Sequence, residues 1–267
     1  MRRIPLHLYL LCSLSAGLQI LPFSIAGPVP AWRRLLCWIC LVPLLIALTG
    51  RQRDKTPLRI WQSAWLGYIC GIFWYLGNCY WIYSTMHLYG NLSEVASVGV
   101  LILFALYLGL YLALFGLLFG VIRRNWSVSA ALISAPLLWV AVEFARDRVT
   151  GFPWDLLGYA QINNLTLTRI APWTGVFGLS LVIATVNALW ALPIAQPITQ
   201  PITRTRSRRT RLVLPLAVLL TTAAIWLQFK GAQPPPAEST ATAVLVQENL
   251  SVGGGAQQES REARRRD

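Results

Sequence analysis

Ionisable side chains are what this sequence has least of. Charged residues occupy 12% of its 267 positions, only 10 residues are acidic and only 2 are histidine. Against 55% apolar residues and a mean hydropathy of +0.53, that scarcity excludes a soluble globular domain, because no single core of this size hides so much apolar surface. His7, in the first apolar run, and His87, read as lying in a loop, have no acidic or thiol partner at ligand spacing, so neither a metal site nor a cofactor is expected. The five cysteines, Cys12, Cys37, Cys40, Cys70 and Cys79, all sit within apolar stretches, where a thiol is a small apolar filler rather than an activated nucleophile. Cys37-Trp38-Ile39-Cys40 has redox-motif spacing but no surrounding fold to support one. The chain also lacks an internal repeat with paired polar breaks, which weighs against a transporter. No small-residue cleavage site follows Met1-Arg2-Arg3 and its apolar run, so the first segment reads as an uncleaved span rather than a signal peptide.

What is present are seven apolar stretches near the roughly 20 residues a bilayer-crossing helix needs. They lie at about 4–22, 31–49, 61–84, 95–122, 126–145, 170–193 and 212–229. The expected fold class is an all-α polytopic membrane protein of about seven transmembrane helices. A net charge of +13 would suggest nucleic acid in a soluble protein, but here the basic residues fall between spans, so no nucleic-acid partner is expected. With a cytoplasmic N-terminus, the inner side receives Arg2, Arg3, Arg51, Arg53, Lys55, Arg59, Arg123, Arg124 and the arginines between 204 and 211. The outer side receives only Arg33, Arg34, Arg146, Arg148 and Arg169, the asymmetry that sets orientation. Gln196–Arg211, with its QPIT repeat, reads as a cytoplasmic loop, and seven spans place the C-terminus outside. Gly67 and Gly71, like Gly116 and Gly120, have the four-residue spacing of close helix packing.

The most informative stretch is 139–187. There a helix carrying Glu143, Arg146, Asp147 and Arg148 runs into Gly151-Phe152-Pro153-Trp154, then an aromatic and amide segment, then another apolar helix. Irregular backbone cannot face hydrocarbon, so this insert must sit at an interface or line a cavity. Glu143 and Arg146, three apart on one helix, are placed to pair with each other near its outer end. That pair either anchors the helix at the interface or shapes a lipid entrance. Trp154 belongs at headgroup depth on general grounds, while Pro153 fixes a turn that aims its indole. The aromatics at Phe73-Trp74-Tyr75 and Tyr80-Trp81-Ile82-Tyr83 suit either an interfacial belt or the wall of an acyl channel.

Residues 1–230 read as the membrane domain. A Pro-rich linker follows at 231–241, then a β-branched run, Thr242–Gln247, that reads as one buried strand, and a polar tail to Asp267 without an apolar face. The sequence reads as stopping where a soluble domain begins.

Trp139, Glu143, Arg146, Gly151-Phe152-Pro153-Trp154, Gly158-Tyr159-Ala160-Gln161 and Gly175-Val176-Phe177-Gly178-Leu179-Ser180 resemble the membrane domain of apolipoprotein N-acyltransferases. Val244–Asn249 resembles the strand that opens their nitrilase-like domain. The resemblance implies eight membrane helices in the bacterial inner membrane, with that domain on the periplasmic side. It implies a cysteine thiolate that takes an acyl chain from a phospholipid and passes it to the N-terminal diacylglyceryl-cysteine of a lipoprotein, with a Glu base and a Lys at the oxyanion. This chain holds no counterpart of those three residues and no Trp-Pro-Glu motif, so no catalytic residue is assigned and the chain is expected to be inactive alone. Glu143, Arg146, Phe152, Pro153, Trp154, Tyr159 and Gln161 are the candidate substrate-binding residues, with phospholipid, lipoprotein and the bilayer as implied partners. Relatives commonly carry Ser where Ala160 stands, which removes one hydroxyl from this block. A small transporter or channel, and a non-catalytic membrane scaffold, remain as alternatives.

Overall fold

The computed structural model describes residues 4–23, 29–52, 56–199 and 208–229. The linker at 231–241, the strand at 242–247 and the tail all lie outside the described residues, as do Arg2, Arg3, Arg53, Lys55, Arg204 and Arg206. The described chain is mostly helical, and its β pairing is an isolated bridge between Arg51 and Pro57. Nine helices follow one another among the described residues: α1 (Leu6–Ile20), α2 (Ala31–Leu35), α3 (Val42–Thr49), α4 (Ile60–Asn78), α5 (Trp81–Leu88), α6 (Glu94–Asn125), α7 (Val128–Thr150), α8 (Ala171–Thr199) and α9 (Arg208–Phe229).

Four described segments are long and apolar enough to cross a membrane: Trp32–Thr49, Glu94–Asn125, Val128–Thr150 and Leu167–Ala195. Helices also form at the other three expected places. Of these, α1 is 15 residues long, and α4 spans 19 but carries Trp, Tyr, Gln and Asn, which lower its hydropathy. The outward face of α6 exposes Val95, Ile102, Leu103, Tyr107 and Leu110, and its charges are confined to Glu94 at one end and Arg123 and Arg124 at the other. A patch of that extent suits a lipid neighbour and not water.

Two expected helices are broken. Residues 31–49 form α2, a 3-10 turn at Leu36–Trp38 and then α3, because Pro43 has no amide hydrogen to extend a helix backwards. The backbone groups freed by this break are met by neighbours. Asn187 on α8 accepts from the Leu41 amide at 2.8 Å and donates to the Cys37 carbonyl at 2.9 Å, while Ser15 on α1 donates to the Cys40 carbonyl at 2.6 Å. Non-helical backbone at membrane depth is tolerable only when buried in protein and satisfied in this way. The stretch 61–84 likewise divides at Cys79 and Tyr80 into α4 and α5. The expected loop at 196–211 is shorter than its composition suggested, since α8 continues to Thr199 and α9 starts at Arg208.

The four glycines expected at helix contacts meet across α4 and α6. A Cβ on Gly67 would stand 2.2 Å from the Leu112 carbonyl oxygen, and one on Gly116 would stand 2.3 Å from that of Ser63. The two backbones therefore touch, with Gly71 and Gly120 extending the seam. Above this seam, Trp74, Tyr75 and Phe115 are fully buried, and α7 packs Trp139 against Phe115 and Trp74.

Candidate functional site

Helix α7 starts at Ser127, whose hydroxyl accepts from the Ala130 amide at 3.0 Å, and ends at Gly151 with φ 62° and ψ 29°, a left-handed stop that glycine adopts without strain. Trp139, Glu143 and Arg146 fall at i, i+4 and i+7, so one face of the helix carries all three into the protein. All are buried, Arg146 to 1% exposure.

Glu143 and Arg146 do not form the ion pair their spacing invites; each is turned to a different partner. Glu143 Oε1 accepts from Trp139 Nε1 at 2.9 Å and from the backbone amide of Leu157 at 2.7 Å. Its Oε2 completes no hydrogen bond, although the Ser180 hydroxyl stands close by. Arg146 donates to the Tyr75 hydroxyl at 2.7 Å and to the Trp154 carbonyl at 2.8 Å. Its guanidinium carbon lies 5.6 to 5.8 Å from the ring centres of Tyr75, Phe152 and Trp74, within range of a cation–π attraction. Asp147 and Arg148, by contrast, form a surface pair at 3.8 Å. The buried charges thus hold the loop beyond Gly151 at two places, one carbonyl and one amide.

The rest of that loop is fastened from other sides. The Gly158 amide donates to Ser180 Oγ on α8 at 2.9 Å, and a Cβ on Gly158 would lie 2.5 Å from the Val176 carbonyl oxygen. Gln161 donates to the Arg34 carbonyl and to Cys37 Sγ, both at 3.2 Å, and accepts from Asn164 at 3.1 Å, tying the 3-10 turn Leu157–Gln161 to α2. Phe152 is buried edge-on against Phe104, with ring centres 5.0 Å apart.

These restraints shape a cavity of about 600 Å³ at this end of the bundle, within the range of small-molecule sites. Trp81 and Trp154 form an aromatic side, with ring centres 6.4 Å apart, and Phe23 adds to it, held by Arg33, which donates to the carbonyls of Leu21 and Phe23. Arg34, Asn78, Asp155, Tyr159 and Asn163 supply polar groups. The Asn78 amide, though buried against Asp155, completes no hydrogen bond of its own. Burial pushes the Asp155 carboxyl up to about 6, opposed by the nearby Arg146 charge, and its backbone has φ 58°, an uncommon conformation for a residue with a side chain.

Among the sequence-selected residues, Trp154 and Tyr159 line the cavity, Trp154 with 53% of its surface exposed. Glu143, Arg146, Phe152 and Gln161 stand behind the wall and position it, and Pro153 sits half-buried in the turn between Phe152 and Trp154. Asn78, Arg34 and Asp155 were not foreseen here, whereas Trp81 belongs to the aromatic segment expected either as an interfacial belt or as a channel wall. Asp155 had one legible signal, an acidic residue directly after Phe-Pro-Trp in a chain with only 10 acids.

The sequence also gave no sign that Cys79 would meet a carboxylate. Its thiol donates to Asp155 Oδ2 at 3.7 Å, but the residue has no exposed surface, so no carbonyl of a bound molecule reaches the sulfur. The other four cysteines are equally buried and free. The arrangement is chemically suited to holding an amphiphile, because its lining combines indoles with polar groups.

Residues 15–189, which run from within α1 into α8 and include every element of this site, match the family model described as the apolipoprotein N-acyltransferase N-terminal domain. The chain is 39% identical over 188 residues to an apolipoprotein N-acyltransferase of Geobacter metallireducens, covering 70% of this chain and 33% of that protein. Similar matches join it to the enzymes so named of Coxiella burnetii, 34% identical with 54% and 29% covered, and of Shewanella oneidensis, 33% identical with 72% and 37% covered. The chain thus spans about a third of the length of the curated relatives it matches. It belongs to the apolipoprotein N-acyltransferase family, through that family's N-terminal domain.

Proposed function

We propose that these residues form the membrane domain of an apolipoprotein N-acyltransferase and that the loop cavity docks the amphiphiles of its reaction. In that reading the partners are a phospholipid that donates an acyl chain and a lipoprotein whose N-terminal diacylglyceryl-cysteine receives it, in the bacterial inner membrane. The domain comprises residues 1–230 and crosses the bilayer about seven times from a cytoplasmic N-terminus, with 231–241 as linker and 242–267 as the opening of a nitrilase-like domain. The loop cavity then faces the periplasm.

The observation that carries the reading is the division between lining and support. Trp81 and Trp154 present apolar faces beside the amide of Asn78 and the guanidinium of Arg34, while Glu143 and Arg146 hold the wall from behind. Binding of that kind orients an acyl chain and its ester, but it does not lower the chemical barrier, which needs groups acting on the transition state. Every cysteine is buried, so the 267-residue chain alone is expected to form no thioester.

A phospholipid with a photoreactive group near its ester, incubated with the purified chain and irradiated, tests the docking site. Mass spectrometry should place the label on residues 152–163, with lower yield in Trp154→Ala. Label spread along the outward face of α6 without enrichment in the loop would remove the cavity from the mechanism.

A further inference from the structure

A second cavity, of about 940 Å³, opens at the opposite end of the bundle, where α4 and α7 begin and α3 and α6 end. Its floor is set by Arg123. This residue is buried on α6 and donates from its two terminal nitrogens to the carbonyls of Leu48 and Leu58, so its position is fixed by backbone. Arg59 and Arg124 line the same cavity and are exposed at its rim. Among the described residues no carboxylate lines it. The N-terminal ends of α4 and α7, represented by Ile60 and Val128, add the positive ends of two helix dipoles to the same space.

Thr49 and Arg51 also line it, and the remaining side chains of the lining are apolar. Leu117 and Val121 continue the cavity down α6, and Trp61, 74% exposed, stands at its mouth. A soluble anion would use the guanidiniums and leave this wall unsatisfied. An uncharged lipid would use the wall and leave the guanidiniums of Arg59, Arg123 and Arg124 without a counter-charge among the described residues. We propose that the cavity is a binding site for an anionic phospholipid of the adjacent leaflet, its phosphate held by Arg59 and Arg124 over the fixed charge of Arg123 and its acyl chain lying along Leu117 and Val121. Guanidinium groups match phosphate oxygens in pairs, and basic pockets between membrane helices are recurrent headgroup sites. The site is separated from the loop cavity by the length of α4 and α7, so a lipid held here is not the one positioned for reaction.

The test uses the purified chain in uncharged detergent, titrated with phosphatidylglycerol or with phosphatidylcholine of the same acyl chains. Retained lipid is counted by native mass spectrometry and melting temperature is followed. Phosphatidylglycerol should be retained and should raise the melting temperature, more at low salt than at high salt; phosphatidylcholine should do neither. The Arg59→Gln, Arg124→Gln double variant should retain phosphatidylglycerol about thirtyfold less well. Both side chains are exposed, so its lipid-free melting temperature should match the parent's. Should that variant not fold, the two single variants carry the test, each expected to lose about fivefold. Arg148→Gln, at the other end, should retain lipid like the parent. Equal retention of phosphatidylcholine, or undiminished retention in the variants, would overturn the proposal. So would inorganic phosphate raising the melting temperature as phosphatidylglycerol does, which would make this a soluble-anion site.

Discussion

Replacing Arg146 by Met keeps the length of the side chain and removes its charge, which isolates what the guanidinium does. Two charge-assisted hydrogen bonds are lost, to the Tyr75 hydroxyl at 2.7 Å and to the Trp154 carbonyl at 2.8 Å. In water-soluble proteins such bonds each contribute about 1.5–3 kcal/mol. Within membranes, polar contacts average about 0.6 kcal/mol and reach about 1.7, because the unfolded reference state finds other partners there. With only 1% of Arg146 exposed, the upper part of the membrane range applies, and Arg146→Met should cost about 2–4 kcal/mol. Tyr75→Phe should cost about 1 kcal/mol alone.

The two effects should not add. Once the guanidinium is gone, the Tyr75 hydroxyl is a buried polar group without that partner, and removing it is then neutral or favourable. A coupling of about 1 kcal/mol is expected from a double-mutant cycle read by denaturant titration in detergent, well beyond the ~0.3–0.5 kcal/mol scatter of independent sites. Hydrogen exchange supplies the local readout. Release of the Trp154 carbonyl should speed exchange across 152–161 before the helices themselves open. Additive single effects together with unchanged exchange in that loop would refute the assignment of Arg146 as its anchor.

Gly67→Leu should separate α4 from α6, because a Cβ there would lie 2.2 Å from a backbone oxygen, and folded yield should fall sharply while Gly99→Leu, with open space around it, is tolerated. For Asp155, burial raises the folded-state carboxyl to about 6 from 3.8, so the native form binds its proton more tightly than the unfolded chain. Its contribution to stability is therefore largest below about pH 4 and is lost as pH rises to about 6, by on the order of 2 kcal/mol. Asp155→Asn should melt higher than the parent at pH 7 and alike at pH 4; the reverse order would show that the carboxylate is favourably paired. Single cysteines introduced at positions 90 and 124, on a background whose native thiols are buried, should react and stay silent, respectively, with an impermeant reagent in spheroplasts, and the opposite pattern would invert the topology. Incubated with phospholipid and a diacylglyceryl peptide, the purified chain should show no acyl adduct by intact mass, and a thioester on Cys79 would move the chemistry to the Asp155 contact.

The helices were legible because apolar runs of membrane length have few alternatives, and the Gly67 and Gly116 contacts because small residues four apart leave a groove that another backbone can enter. The breaks were not. Pro43 marked one of them, yet the residue that makes the break tolerable is Asn187, about 150 positions away, and no local pattern announces so remote a hydrogen bond. The same limit governed the site. Glu143 and Arg146 stood out as rare charges at the end of a span, and their spacing suggested mutual pairing, because along a single helix each was the nearest candidate for the other. Tertiary contacts supplied closer partners, an amide at Leu157, a carbonyl at Trp154 and a phenol at Tyr75, and those could not be read from helical periodicity.

That exchange of partners has a consequence for how the domain works. An exposed ion pair at a helix end would contribute a few tenths of a kcal/mol and constrain nothing beyond its own turn. The same two side chains, buried and bonded to backbone groups of the following loop, fix Trp154 and Leu157 relative to α7 and, through Tyr75, relative to α4. Burying them costs desolvation, and the fold tolerates this only because each charge has hydrogen-bond partners of its own. The wall they support carries an indole that is half exposed, so its position is set by the backbone behind it together with its ring contacts to Trp81 and Phe152. On the proposed reading, a docking surface built this way would keep its shape while its outer face stays open, as an amphiphile entering sideways from a bilayer would require.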